Sequence, residues 1–76
     1  MLKFSKDHQF SNNWRTLWRA SGNCDTDYEI TRVDGKYYVT VCQYKRFVTD
    51  TGSFAYFKDA KKWANKDNDY LDCLMP

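Results

Sequence analysis

The dipeptide Asp34-Gly35 lies between two runs of alternating apolar and polar residues, and it limits the fold more than any other feature of this chain. The runs cover residues 28–33 and 36–42. A two-residue type I′ turn requires positive φ at both central positions, and Asp-Gly is one of the few dipeptides that adopts this conformation readily. The sequence therefore predicts an antiparallel β-hairpin in which Val33 pairs with Lys36.

This register distributes the hairpin side chains over two faces, because successive residues of a strand point to opposite sides. One face carries Tyr28, Ile30, Arg32, Tyr37, Val39 and Val41. The other face carries Glu29, Thr31, Val33, Tyr38, Thr40 and Cys42. The first face is the more apolar of the two, so we expect a helix to pack against it.

One amphipathic helix is predicted after the strands, because apolar residues recur there at three- and four-residue intervals. The apolar stripe consists of Tyr56, Phe57, Ala60, Trp63 and Ala64. Ser53 or Thr51 is the expected N-cap, since short hydroxyl side chains accept hydrogen bonds from the first turn. We expect the helix to end near Asn65, where the apolar stripe stops, and we expect Trp63 to be largely buried.

Residues 14–20 fit two interpretations. Trp14, Thr16, Trp18 and Ala20 alternate with polar or smaller apolar positions, as in a strand, whereas the two tryptophans and Leu17 also fit helical spacing. We favour the strand, because two tryptophans separated by an even number of residues suit one face of a pleated sheet. An additional edge strand is expected near Phe4. At the C-terminus, one turn of helix is indicated by Tyr70, Leu71 and Leu74.

These elements predict an α+β fold, with a three- or four-stranded antiparallel sheet and one amphipathic helix packed on one face. A chain of 76 residues is expected to form a single domain, residues 1–76. Three Trp, six Tyr and five Phe supply much of the core. A segment of about 20 apolar residues, as a membrane span needs, does not occur, and the charged residues near Met1 argue against a signal peptide.

The residue types offer little for catalysis or metal binding. His8 is the only histidine and lies in a polar segment, so we interpret it as a surface residue. Cys24, Cys42 and Cys73 lack the short paired spacing of zinc ligands, and we expect reduced thiols in a cytoplasm. Residues 67–72 lack the glycine and the terminal acid of a calcium loop. We therefore expect no enzyme activity, catalytic residue, metal or cofactor.

Two sets of side chains are candidates for binding a partner. A protein partner would be contacted by outward aromatic residues and their neighbours, namely Tyr38, Tyr44, Arg46 and Phe47. A nucleic acid would instead be contacted by the cations Arg32, Lys36, Lys45 and Arg46, because sheets that bind it combine cations with stacking rings. The formal net charge of +2 is small for the second interpretation.

The segment from Gly52 through Phe54 and Ala60-Lys-Lys-Trp-Ala64 resembles a pattern of small phage and prophage proteins. In those proteins a Gly-x-Phe motif ends the sheet, and an Ala-Lys-x-Trp helix packs on it. The resemblance covers residues 28–64 and implies an accessory phage protein. Such a protein would bind a host macromolecule in the host cytoplasm, through protein–protein contacts, and modulate or inhibit it. This is the preferred functional prediction.

The same segment is also similar to the sheet-plus-helix DNA-binding domains of ethylene-response factors and of integrase arm-binding domains. That resemblance implies a sheet-based DNA- or RNA-binding module, with Arg32 and Lys36 on two strands and Lys45 and Arg46 on the next. The chain departs from the pattern in its short turn and in Glu29 on the presumed outer face. These departures weaken base readout more than they weaken the fold.

Overall fold

Five antiparallel strands and one helix form the part of the chain that the structure describes. The computed structural model describes residues 2–9, 11, 14–43 and 46–70, and the side chains of residues 46–52 lie outside that description. The elements are β1 (Ser5–Lys6), β2 (Arg15–Ser21), β3 (Thr26–Val33), β4 (Lys36–Gln43), β5 (Arg46–Phe54) and α1 (Phe57–Tyr70). The strands follow one another in chain order across a single sheet. The predicted α+β fold is confirmed, with more strands than expected.

The central hairpin forms as predicted. Val33 pairs with Lys36, and the ladder continues through Ile30 opposite Val39. The φ angles are 54° at Asp34 and 74° at Gly35, so both turn residues have the positive φ that a type I′ turn requires.

Residues 15–21 form strand β2 rather than a helix. Trp18 pairs with Ile30 of β3 and also with Lys6 of the short strand β1, which begins one residue after Phe4. Trp14, however, precedes the strand and is 85% exposed. The prediction that Trp14 and Trp18 share a packed face is therefore wrong, because the pleat begins only at Arg15.

The core lies between α1 and the more apolar face of the hairpin, as predicted. Tyr28, Ile30 and Val39 are fully buried against Ala60 and Ala64, whose exposed fractions are also 0%. The first turn of α1 adds an aromatic cluster around Phe57. The centroid of the Phe57 ring lies 4.6 Å from that of Trp18, 5.7 Å from that of Tyr37 and 6.4 Å from that of Phe4.

The start of α1 differs from the prediction. The Tyr56 carbonyl accepts hydrogen bonds from the Asp59 and Ala60 amides at 3.2 and 3.3 Å, so the helix begins directly after Tyr56. Ser53 lies within β5, and so does the other N-cap candidate, Thr51. Tyr56 is 63% exposed, and Trp63 is only partly buried, because both residues lie on the flank of the helix rather than at the centre of its buried face.

The helix continues past Asn65 to Tyr70, so the predicted end is wrong. Its second half is attached by polar contacts. The Asn65 Oδ1 accepts a hydrogen bond from the Leu2 amide at 2.7 Å, and the Tyr28 hydroxyl donates one to Asp67 at 2.7 Å. Burial, together with this hydrogen bond, raises the pKa of the Tyr28 hydroxyl far above its ordinary value. Of the predicted C-terminal turn, Tyr70 ends α1, while residues 71–76 lie outside the described residues.

Asn68 joins the last turns of α1 to the turn between β2 and β3. It is 7% exposed, and its Oδ1 accepts a hydrogen bond from the Asn23 amide at 2.8 Å. The same turn is closed by the Thr26 amide, which donates to the Asn23 carbonyl at 3.1 Å. A Cβ added at Gly22 would lie 2.5 Å from the Asn68 Oδ1, so only glycine permits this close approach.

The two edges of the sheet are arranged differently. At one edge β2 is covered by β1, and beyond β1 the Asp7 amide donates to the Leu17 carbonyl at 2.7 Å. At the other edge β5 pairs only with β4 among the described residues, and the β4–β5 register shifts twice, between Tyr38 and Thr40 and between Val41 and Cys42.

Replacement of Gly35 by valine should destabilise the protein by roughly 1–3 kcal/mol, because a β-branched residue resists positive φ. A Cβ at this position meets no atom within 4 Å, so the cost comes from the backbone alone. Gly35→Asn is the matched control, since asparagine tolerates this conformation. Urea unfolding measures both variants, and equal stability of the two would contradict the type I′ turn.

Asn68→Ala should lower the free energy of unfolding by roughly 0.5–1.5 kcal/mol, because the hydrogen bond from the Asn23 amide to the buried Asn68 side chain is lost. Asp69→Ala is the control on the neighbouring exposed position and should change stability by less than about 0.5 kcal/mol. Chemical denaturation compares the two. If Asn68→Ala is as stable as Asp69→Ala, the contact does not hold the helix end.

Candidate functional site: the outer face of the sheet

The outer face is the side of the sheet that points away from α1. α1 is the only helix among the described residues, and it packs on the opposite side. The strand pairing places on the outer face Arg15, Leu17, Arg19, Glu29, Thr31, Val33, Lys36, Tyr38, Thr40 and Cys42. Because no described helix packs on this polar and partly apolar face, it is the candidate for contact with another molecule.

The middle row of the outer face combines Leu17 and Tyr38 with two hydroxyl residues, Thr31 and Ser53. Cross-strand pairing forms a row from Leu17 through Thr31 and Tyr38 to Ser53. Leu17 is buried, with 8% of its surface exposed, while Val33 and Tyr38 are half-buried. Tyr38 therefore presents part of its ring to solvent beside other apolar side chains.

Charged side chains lie in the rows on either side of this middle row. Arg15, Val33 and Lys36 form the row at the hairpin end, and both cations are exposed. In the row on the other side, the Arg19 Nε lies 3.2 Å from Glu29 Oε2 and 3.5 Å from Asp7 Oδ2. The charge of Arg19 is thus locally compensated by two carboxylates, while the hairpin end carries two exposed cations.

Trp14, which directly precedes Arg15, was not predicted as a functional residue. It is 85% exposed, which is unusual for so large an apolar side chain. The alternation of residues 14–20 assigned Trp14 to the core. Its position directly after the polar residues Ser11, Asn12 and Asn13 was the signal that it stands outside the strand.

The structure brings together only part of the predicted protein-binding set. Tyr38 lies on the outer face, as expected. Phe47 pairs with Cys42 and Arg46 with Gln43 through the backbone, but their side chains are outside the described part, and Tyr44 lies outside it entirely.

The predicted nucleic-acid set is dispersed as far as it is described. Arg32 pairs with Thr16 and Tyr37 on the helix side of the sheet, whereas Lys36 lies on the outer face. Arg46 begins β5 at the opposite end of β4, about 23 Å from Lys36 at the usual strand rise. Lys45 lies outside the described residues. The described cations therefore do not form one patch.

The cysteines differ in state, which corrects the expectation of three reduced thiols. Cys24 is disulfide-bonded, whereas Cys42 is a free, half-buried thiol on the outer face. Burial raises the pKa of Cys42, and the carboxylates of Glu29 and Asp27 raise it further. Cys42 is consequently a weaker nucleophile at neutral pH than an ordinary thiol.

The described residues show no centre for metal chemistry, since no three His, Cys, Asp or Glu side chains converge there. Within the same residues, α1 lacks the length and apolar character needed to cross a membrane. The sequence matches no protein-family model, and neither a curated protein nor a solved structure is significantly similar to it. The outer face is therefore the feature from which a function can be inferred.

Alkylation of the folded protein at neutral pH should leave Cys24 unmodified until a reductant is added, and it should modify Cys42 slowly because its pKa is raised. The same reaction in denaturant should modify Cys42 at the rate of an ordinary thiol. Mass spectrometry of the two peptides measures both rates. Labelling of Cys24 without reduction would show that its disulfide is absent in solution.

Proposed function

We propose that this chain is a small, non-enzymatic, phage-encoded protein that binds a host protein through the outer face and thereby modulates or inhibits it. The observation that supports the proposal is the combination of partly exposed apolar side chains and exposed cations on the outer face. Tyr38 and Val33 supply the apolar surface, Arg15 and Lys36 supply the cations, and Trp14, which directly precedes Arg15, is 85% exposed.

This arrangement has the chemistry of a protein-binding surface. Binding energy at interfaces is concentrated in a few aromatic and arginine side chains, and Trp, Tyr and Arg are the residues most enriched among them. Half-buried Tyr38 and Val33, with charged residues beside them, also match the mixture of apolar and polar side chains at protein interfaces. Trp14 and Tyr38 are accordingly the proposed anchors, with Arg15 providing directional contacts.

A sheet-based nucleic-acid-binding module is the second candidate. It is favoured by two exposed cations on the outer face, Arg15 and Lys36, the first of which directly follows the exposed Trp14. It is disfavoured by the dispersed positions of Arg32 and Arg46, and by the paired state of Arg19. Phosphate binding depends on several cations that act together, and the described residues offer few in one place.

The cytoplasm of the host cell is the compartment that belongs with this proposal. The disulfide at Cys24 argues against it, because disulfides persist mainly in oxidising environments. The redox state of Cys24 in protein isolated under thiol-trapping conditions distinguishes the reducing cytoplasm from an oxidising compartment.

The test begins with capture of partners from a bacterial lysate, with and without nuclease, followed by affinity measurements on the captured partner. Trp14→Ala should weaken binding by about 2 kcal/mol or more, as expected for an interface anchor. Stability should change little, because the side chain is 85% exposed. Tyr56→Ala is the matched control, since Tyr56 is an exposed aromatic residue on the helix side.

The salt dependence of the same complex separates the two candidates. A protein partner held by aromatic anchors should show weak dependence on salt, and capture should survive nuclease. Loss of capture after nuclease, together with a steep fall of affinity with salt, would replace the proposal by nucleic-acid binding. Equal effects of Trp14→Ala and Tyr56→Ala would place the contact away from the outer face.

A further inference from the structure

One flank of α1 carries Trp63 and Tyr70, and Tyr56, the residue directly before the helix, continues the same interval of seven; we call these three residues the aromatic flank. Seven residues make almost two helical turns, so these side chains follow one line along the helix with little drift. Tyr56 is 63% and Tyr70 is 76% exposed, while Trp63 is half-buried. A shallow groove of about 250 Å³ lies between Trp63 and Tyr70.

The aromatic flank is adjacent to the buried face of α1, on the side away from Asn65. Asn65 bonds to Leu2, so the opposite flank of the helix faces the N-terminal segment. At about 100° per residue, Asp59 and Lys66 lie next to the aromatic flank on its solvent side. Both are exposed, and they lie on either side of Trp63 along the helix.

The aromatic flank, together with Asp59 and Lys66 beside it, can pair with the same surface of a second copy related by a twofold rotation. If two copies of α1 run antiparallel with Trp63 at the axis, each Tyr56 faces Tyr70 of the second copy. Asp59, four residues before Trp63, then lies next to Lys66 of the second copy, three residues after it. A parallel arrangement would instead place Asp59 against Asp59 and Lys66 against Lys66, which like-charge repulsion disfavours.

We propose that the aromatic flank is the interface of a homodimer, in which α1 of a second copy packs antiparallel along it. The contact is isologous, because both copies use the same residues, and it therefore closes at two subunits. The proposal does not depend on the function assigned to the outer face, which lies on the other side of the sheet and stays free in each copy.

The size of the surface indicates a weak dimer. A fully exposed aromatic side chain offers roughly 150–250 Å², so the exposed parts of three such residues bring on the order of 400 Å² from each copy. The total of about 800 Å² is below the roughly 1,200 Å² of a stable interface. We therefore expect self-association with a dissociation constant in the micromolar range or above, visible only in concentrated protein.

The experiment is a charge exchange on the full chain, measured by analytical ultracentrifugation over a wide range of concentrations. The wild type should change from the monomer mass of 9.1 kDa towards twice that mass as concentration rises. Asp59→Lys and Lys66→Asp should each weaken association about tenfold or more, because each places like charges together twice in the dimer. The double variant should recover to within about threefold of the wild type.

Two further variants complete the test. Tyr70→Ala should weaken association without unfolding the domain, because the side chain is 76% exposed. Lys3→Asp is the control for Lys66→Asp, since it makes the same change of net charge at an exposed residue near the opposite flank. A protein that stays monomeric at every concentration overturns the proposal. So does a double variant that associates no better than the single variants, or a Lys3→Asp variant as weak as Lys66→Asp.

Discussion

The close approach of α1 to the central hairpin is the contact on which the rest of the structure depends. Ala60 and Ala64 are fully buried against Tyr28, Ile30 and Val39, and their small side chains let the helix backbone approach the sheet. Burial of apolar surface is the main favourable contribution to folding, and a chain of 76 residues has few other places to obtain it. Larger residues at either alanine would lift the helix away from the sheet.

The two halves of α1 are attached by different physical means. In the first half, rings pack against rings around Phe57. In the second half, three side chains form hydrogen bonds with the rest of the protein. Asn65 bonds to the N-terminal segment, Asp67 to Tyr28 and Asn68 to Asn23. Hydrogen bonds require correct geometry whereas apolar contacts do not, so the second half defines the angle at which the helix lies across the sheet.

This division explains which features were predictable. The Asp34-Gly35 turn, the register of the hairpin and its helix-facing side follow from local rules that act over a few residues. The end of α1 does not follow from local rules. Asn68 is a polar residue, and it is buried only because it contacts a turn 45 residues away in the sequence. At the candidate site, the outward position of Tyr38 follows from the strand alternation. The exposure of Trp14 does not, because the strand begins one residue later than its alternation implies.

The two register shifts between β4 and β5 have a consequence for the behaviour of the protein in concentrated solution. An edge strand displays unpaired amides and carbonyls that invite an incoming strand, and bulges interrupt such pairing after a few residues. Among the described residues, β1 and the Asp7 amide pair with the middle of β2, and the β4–β5 ladder at the other edge is irregular. Neither described edge is therefore a long regular template for growth into fibres, and contacts with other molecules depend more on side chains than on backbone pairing.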